Sequence, residues 1–327
     1  MTRTARVRAY AKLNLGLRVL YKRPDGYHEL RTIFQTISLA DSLEISFAAA
    51  KSTVIAMEGT PEIPDNLAER AARLVMEAAG RHGAVGLRLN KYIPAGAGLG
   101  GGSSDAAAML LALPVLAGVR FPMEQLAAMA AKLGSDVPFF LYGGTALGLG
   151  RGEELYPLPD RTAEQALLVV PAVHSSTADA YRDLSVTLTN VGLQNKLDSF
   201  QRSTWGGCSG EDKPILINDF EDAVLARYPQ LDGIRERLRR AGATRVAMTG
   251  SGSAIFGIFD NNSGGASGNP GKLERARLEW EKRAEAGERA FSVSFVSRTR
   301  YQGAWRRALN QDRKGNNIWP PQSRHAR

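Results

Sequence analysis

A single cysteine, Cys208, in 327 residues excludes an internal disulfide framework and suits a reducing compartment. Long apolar runs are also missing. The longest, Ala106 to Val119, is too short to span a bilayer and is interrupted by Pro114 and Gly118. The N-terminal segment has scattered arginines but lacks the apolar core of a signal peptide. The expectation is a cytoplasmic protein with no membrane partner. No internal repeat is visible, and no Gly-Lys-Ser/Thr closes any glycine-rich stretch, which excludes a Walker loop. Acidic charge is in deficit, with a net charge of +9. Residues 298–327 hold eight Lys/Arg and one Asp, so the rest carries only +2. The basic excess thus belongs to a terminal tail expected to be solvated, and no nucleic acid is expected as a partner.

What is present is ample apolar material, 43% of the chain, enough for two domains of ordinary size. The division expected is 1–162 and 163–301, with a basic tail over 302–327. Leu13, Leu15, Leu17 and Val19 alternate with Lys12, Asn14, Gly16 and Arg18, which predicts a strand with one buried face and puts Lys12 and Asn14 on the same side. Pro24-Asp25-Gly26 ends it in a turn, and further strands are expected over Arg31–Leu39 and Ser42–Phe47. Asp65 or Asn66 can cap a helix stopped by Gly80. In the second half, Ala166–Val170, Val246–Met248, Ala254–Phe259 and Phe291–Val296 read as strands. Ala223–Arg240, interrupted around Pro229, and Leu273–Ala286 read as helices. Gln194–Lys213 is polar and reads as a loop, and Asn261–Gly271 as a flexible insertion.

The most informative segment runs from Pro94 to Ala108. Gly96, Gly98, Gly100, Gly101 and Gly102 let the backbone approach a ligand closely, with Leu99 among them. Ser103, Ser104 and Asp105 are helix-capping types, and an alanine-rich helix follows, expected to end or kink at Pro114. A helix start of this kind binds phosphate through free N–H groups and the positive end of its dipole. A second tight turn, Thr249 to Ser253, lies between apolar strands. Its Gly250, Ser251 and Gly252 are candidates to close over the phosphates, although such a turn alone is an ordinary hairpin. Asp136, in Gly134-Ser-Asp-Val-Pro138, could cap a helix or could take the proton of an attacking alcohol. A nearby lysine favours an ionised carboxylate, and Lys12 is the candidate.

Taken together these segments resemble the GHMP kinase superfamily. Four blocks carry the likeness: Ala11-Lys-Leu-Asn-Leu15 with Pro24-Asp-Gly-Tyr-His28; Pro94 to Ala107; Gly134 to Phe140 with Gly143-Gly-Thr-Ala146; and Thr249 to Ser253. The resemblance implies an α+β, two-domain fold. The N-terminal α/β domain would carry the phosphate loop, and the C-terminal domain would be a ferredoxin-like α/β sandwich. It implies ATP as phosphoryl donor, with Mg²⁺ expected to travel with it and no dedicated carboxylate cage for a metal. The branch most resembled phosphorylates the 2-hydroxyl of a cytidine diphosphate-linked methylerythritol. By this likeness Asp136 is the base and Lys12 its partner, and Asn14 contacts the acceptor. Tyr27, His28 and Tyr181 recognise cytosine, Asn66 lies by the adenosine, and the loop from Pro94 to Ser104 binds the phosphates. A monomer or weak homodimer is expected. Another GHMP acceptor, such as mevalonate, homoserine or a sugar, remains a rival, as does a nucleic-acid protein using the basic tail.

Overall fold

Alternation of apolar and polar residues runs further than the sequence segment suggests. In the computed structural model, β1 spans Arg3–Lys22 and pairs antiparallel with β2, His28–Ala49. The structure describes residues 2–58, 63–161, 164–173, 175–184, 190–205, 216–259 and 271–310. The two strands expected at Arg31–Leu39 and Ser42–Phe47 are one, because the ladder survives a register shift between Tyr10 and Lys12. That irregularity reverses which side chains face which way. Ala5, Val7 and Ala9 belong to a core shared with helices, whereas Ala11, Leu13 and Leu15 face the second sheet. Lys12 and Asn14 accordingly turn toward the helices. Each is only 3% exposed, so β1 has two buried faces here and not the one expected.

The first sheet runs β3 (Val54–Glu58), β4 (Gly83–Asn90), β2, β1. A hairpin of β5 (Thr145–Leu149) and β6 (Glu154–Pro157) extends from the opening half of β2. Helices cover one face. α1 (Leu67–Ala79) is capped by Asn66, whose Oδ1 accepts from Ala68 N, and ends at left-handed Gly80. α2 (Gly101–Ala117) is buried from Ser104 to Ala117, the position of a central helix with no polar face. It passes through Pro114 and stops at Gly118. The expected break does not occur because the proline sits in the last turn, where Gly118 and Val119 still bond back to Val115 and Pro114. α3 (Met123–Leu133) and the short α4 (Phe139–Tyr142) complete this layer.

The second sheet begins with β7 (Gln165–Val170). Ala166, Leu168 and Val170 pack toward the first sheet while Leu167 and Val169 pack toward helices, which explains its unbroken apolar run. α5 (Thr177–Asp183) and α6 (Asn190–Trp205) follow. The second replaces the loop expected over Gln194–Lys213 as far as Trp205; the remainder of that segment lies outside the described residues. Phe200 is buried beside β1 and helps to anchor this helix there. β8 (Ile217–Asn218) leaves the second half to pair in parallel with β1. Then come α7 (Glu221–Arg227), α8 (Gln230–Arg240), β9 (Arg245–Met248), β10 (Ile255–Phe259), α9 (Lys272–Arg283) and β11 (Arg289–Ser294). The sheet order β11-β7-β10-β9, antiparallel throughout, with α8 and α9 on one face, is the ferredoxin-like arrangement. The insertion at 261–270 lies outside the described residues.

The start of the basic tail is corrected. α10 (Arg298–Asn310) returns to the first domain, where Tyr301, Trp305 and Leu309 join its core at 1%, 2% and 5% exposure. Spaced by four, they form one apolar stripe on an otherwise charged helix. Residues beyond 310 are outside the described set. Trp305→Ala should destabilise the fold by about 3 kcal/mol or more, measured by urea unfolding. Ending the chain after residue 310 should cost far less stability than ending it after residue 301.

Candidate active site

Lys12 reaches the site because three constraints hold it there. The register shift turns it toward the helices, its backbone N–H bonds Leu99 O at 3.0 Å, and its aliphatic stem runs beneath Gly100. Its Nζ lies 2.5 Å from Asn14 Oδ1 and 3.4 Å from Asp136 Oδ2. Asn14 is fixed in turn, donating from Nδ2 to Thr32 Oγ1 at 2.8 Å, and that hydroxyl donates to Gly16 O. Asp136 stands just before Pro138 and the short helix α4, and its side chain stays one-third exposed to the cavity. Groups 124 positions apart in sequence are therefore in contact.

Directly above them is the glycine loop. Gly96, Gly98 and Gly100 all have positive φ. The helix starts at Gly101, before the serines, and its N-cap Gly100 makes no side-chain capping bond. Ser103 and Ser104 lie inside the first turn, and the N–H groups at the start of α2 lack a side-chain cap, the arrangement that favours an anion. The Thr249–Ser253 turn locks against this loop. A Cβ on Gly98 would stand 2.2 Å from Thr249 O, and one on Gly250 would stand 3.2 Å from Gly98 O. Asn218 braces the turn, donating from Nδ2 to Met248 O and Gly250 O at 2.9 and 2.8 Å. Thr249 Oγ1 accepts the backbone N–H of Asn14 at 3.0 Å.

These elements enclose a cavity of about 980 Å³. Every residue singled out from the sequence lines it except Ser104 and Gly252. Ser104 is 1% exposed and donates its hydroxyl to Tyr10 O, which makes it part of the support beneath the loop. Gly252 sits behind the turn, where a Cβ would meet Met248 Sδ at 2.7 Å. Neither residue therefore forms part of the cavity wall. Asn66, expected at the adenosine, is both the cap of α1 and a cavity wall.

At the other end of the cavity His28 stacks on Tyr181, with ring centroids 4.7 Å apart, and Tyr181 meets Phe220 edge-on. Burial lowers the His28 pKa, with Lys22 adding to the effect, so a neutral imidazole faces the cavity. Burial, then the charge of Asp136, pushes the Tyr181 hydroxyl up to about 12, which keeps it a neutral donor. Tyr27 is 53% exposed at the rim.

Sequence reasoning missed a charged cluster behind the loop. Lys91 Nζ bonds Asp105 Oδ2 at 2.7 Å and also Asp41 Oδ2. Asp41 Oδ1 accepts the backbone N–H groups of Tyr92 and Ile93. Asp105 Oδ1 has no partner among the described residues. Burial pushes the Asp105 carboxyl up to about 7 against the pull of Lys91, and Asp41 pushes it further in the same direction. Thr32, Asn218 and Arg151 were also missed, and only the spacing Asp41/Lys91/Asp105 at the ends of apolar segments offered a signal.

Two family models match this chain: GHMP kinases N terminal domain over residues 66–144, and GHMP kinases C terminal over residues 206–284. A 4-diphosphocytidyl-2-C-methyl-D-erythritol kinase from Solibacter usitatus is 52% identical across 99% of this chain and 98% of its own length. One from Geobacillus kaustophilus is 37% identical across 79% and 89%. A crystal structure of 4-(cytidine 5'-diphospho)-2C-methyl-D-erythritol kinase superposes with a TM-score of 0.68 at 38% identity, covering 90% of this chain and 99% of that one. A homoserine kinase from Cytophaga hutchinsonii, at 18% identity and a TM-score of 0.62 over 90% of this chain and 95% of its own, shares the fold.

Gly98→Ala should separate the loop from the Thr249 turn and weaken ATP binding at least tenfold, whereas Gly102→Ala, whose Cβ would meet only Leu67 at 3.8 Å, should change it little. Titration calorimetry checks both. Asp105 keeps its proton to higher pH in the folded chain than its ordinary 3.8, so its contribution to stability falls as pH rises from about 4 to about 7. Asp105→Asn removes that penalty, and its melting temperature relative to the parent chain should therefore rise between pH 4 and pH 8 in a thermal-shift series.

Proposed function

Since the chain belongs to the GHMP kinases, and within them to the 4-diphosphocytidyl-2-C-methyl-D-erythritol kinases, we propose how its own residues perform the reaction of that family. The enzyme transfers the γ-phosphoryl group of ATP to the 2-hydroxyl of the methylerythritol unit, giving the 2-phosphate and ADP, in the methylerythritol phosphate route to isoprenoid precursors. The observation that carries the residue assignment is the Lys12–Asp136 contact beside the uncapped start of α2.

In this reading the acceptor hydroxyl sits between Asp136, Lys12 and Asn14. Its oxygen attacks the γ-phosphorus, the bond to the β,γ-bridging oxygen breaks, and the hydroxyl proton passes to the Asp136 carboxylate. Lys12 offsets the charge that gathers on the attacking oxygen and the transferring phosphoryl group. Because Asn14 occupies one side of the Lys12 ammonium, the ammonium keeps a fixed direction while the proton moves. The backbone N–H groups of Gly101, Gly102 and Ser103 hold the phosphates, and the Thr249–Ser253 turn, through Gly250 and Ser251, closes on them. Asn66 borders the adenosine.

Among the described residues no cluster of His, Cys, Asp and Glu could hold a metal alone, so the donor set suits Mg²⁺ brought by the nucleotide. Ser103 on the cavity wall would complete its shell, since the Ser104 hydroxyl is already given to Tyr10. The ion supplies neutralisation of phosphate charge. Tyr27 and Tyr181 offer aromatic faces to the cytosine, and neutral His28 reads its edge. No helix among the described residues is long and apolar enough to cross a membrane. Cytoplasmic residence and a monomer or weak homodimer complete the proposal.

Asp136→Asn should lower kcat by about 10² or more while ATP affinity stays within a factor of about two. A coupled ADP-release assay checks this. The same assay should give turnover with the cytidine diphosphate-linked acceptor and none with mevalonate or homoserine; near-normal activity of the variant would remove the base assignment.

A further inference from the structure

Three Lys or Arg side chains among the described residues line the cavity, and two are already committed. Lys12 is held by Asn14 and Asp136, and Lys91 by Asp41 and Asp105. The third is Arg151, which lies in the turn of the β5–β6 hairpin. Gly150 and Gly152 flank it with φ of +68° and +102°, and Gly152 N bonds Leu149 O at 2.9 Å. The turn is tied to the start of β2 by Leu30 N donating to Gly150 O at 2.6 Å, which sets Arg151 beside the Tyr27-His28 segment.

The guanidinium carbon of Arg151 lies 4.5 Å from the centroid of the Tyr27 ring. Glu153 takes its Nε at 3.2 Å and its backbone N–H at 2.6 Å. Both terminal nitrogens remain without a hydrogen-bond partner among the described residues. Arg23 and Arg31 each give a terminal nitrogen to Glu29, whereas the ion pair of Arg151 with Glu153 uses Nε. A guanidinium that is stacked on an aromatic, clamped through one nitrogen and open through two is preorganised for a bidentate oxyanion.

We infer that Arg151 is a specificity-determining residue that binds the diphosphate of the acceptor and so lets the enzyme tell a nucleoside diphosphate conjugate from a nucleoside. This rests on the reading that Tyr27, His28 and Tyr181 take the base. The geometry supports it because a pyrimidine nucleotide held by those rings carries its phosphates from the rim toward Asp136, and Arg151 stands at the rim with donors to spare. Although its Nε is paired with Glu153, Arg151 keeps two terminal nitrogens open among the described residues, and these can meet the negative charge of the acceptor's two phosphates.

The test is binding of cytidine, CMP and CDP to wild type, Arg151→Ala and Arg151→Lys by calorimetry, with ATP as a control for the fold. For Arg151→Ala the expected result is a loss of about tenfold or more for CDP and less than twofold for cytidine, with ATP unchanged. Arg151→Lys should fall between, since it keeps the charge and loses the planar fork. The CDP affinity of wild type, and not of Arg151→Ala, should also weaken steeply with salt. Equal losses for cytidine and CDP would mean that Arg151 only braces the Tyr27 ring, and no loss for either would mean that it is idle; both results overturn the inference. A wild-type enzyme that binds ATP but neither cytidine nor CDP would instead remove the base site at Tyr27 and His28, and the inference with it.

Discussion

Burying one ammonium group organises the centre of this protein. Lys12 has a side chain only 4% exposed, on a strand covered on both faces. An unpaired cation there would be expensive, so its partners must be present and must be held still. Asn14, two residues along the same strand, is the first partner, and Asp136 is the second. Each is fixed by something else: Asn14 by Thr32, and Asp136 by the turn into α4. The bond from the Lys12 backbone to Leu99 then makes the glycine loop part of the same unit. The ammonium, its two partners and the glycine loop are thereby placed by one strand irregularity.

That irregularity explains where sequence patterning succeeded and where it stopped. Period-two alternation put Lys12 and Asn14 on one side, and the structure agrees. Patterning could not show that the strand changes which face is which after Tyr10, since the shift arises from pairing with β2 and not from any residue of β1. Asp136 was legible as a helix-start residue, but its meeting with Lys12 was not, because contact across 124 positions is a property of the packed sheet and helices. The glycine loop was legible through its need for positive φ. The bond from the Ser104 hydroxyl to Tyr10 O was not legible, because a serine near a helix start serves a ligand or a neighbouring carbonyl equally well. α6 and α10 were hidden by their charge. In α10 the signal was present as Tyr301, Trp305 and Leu309 at intervals of four, outweighed by the surrounding arginines.

The two halves of the molecule share the cavity unequally. The first supplies the ammonium, the carboxylate and the helix start, while the second supplies the Thr249 turn, Asn218 and the ring of Tyr181. These meet through a backbone approach at Gly98 that leaves no room for a Cβ, and through a tight one at Gly250. β8 strengthens the join by pairing with β1 from the other side. The second half thus acts as a wall fitted against the first, and the packing of its sheet on Leu13 and Leu15 sets how near that wall stands.

The return of α10 to the first core has a consequence for how the protein is made. Tyr301, Trp305 and Leu309 fill that core beside Tyr10, Phe140 and Leu141, residues translated far earlier. A nascent N-terminal half therefore leaves the ribosome with an apolar slot still open, and it stays open until α10 emerges. Vectorial synthesis, which usually lets the leading domain finish first, here leaves that domain waiting for residues 298–310.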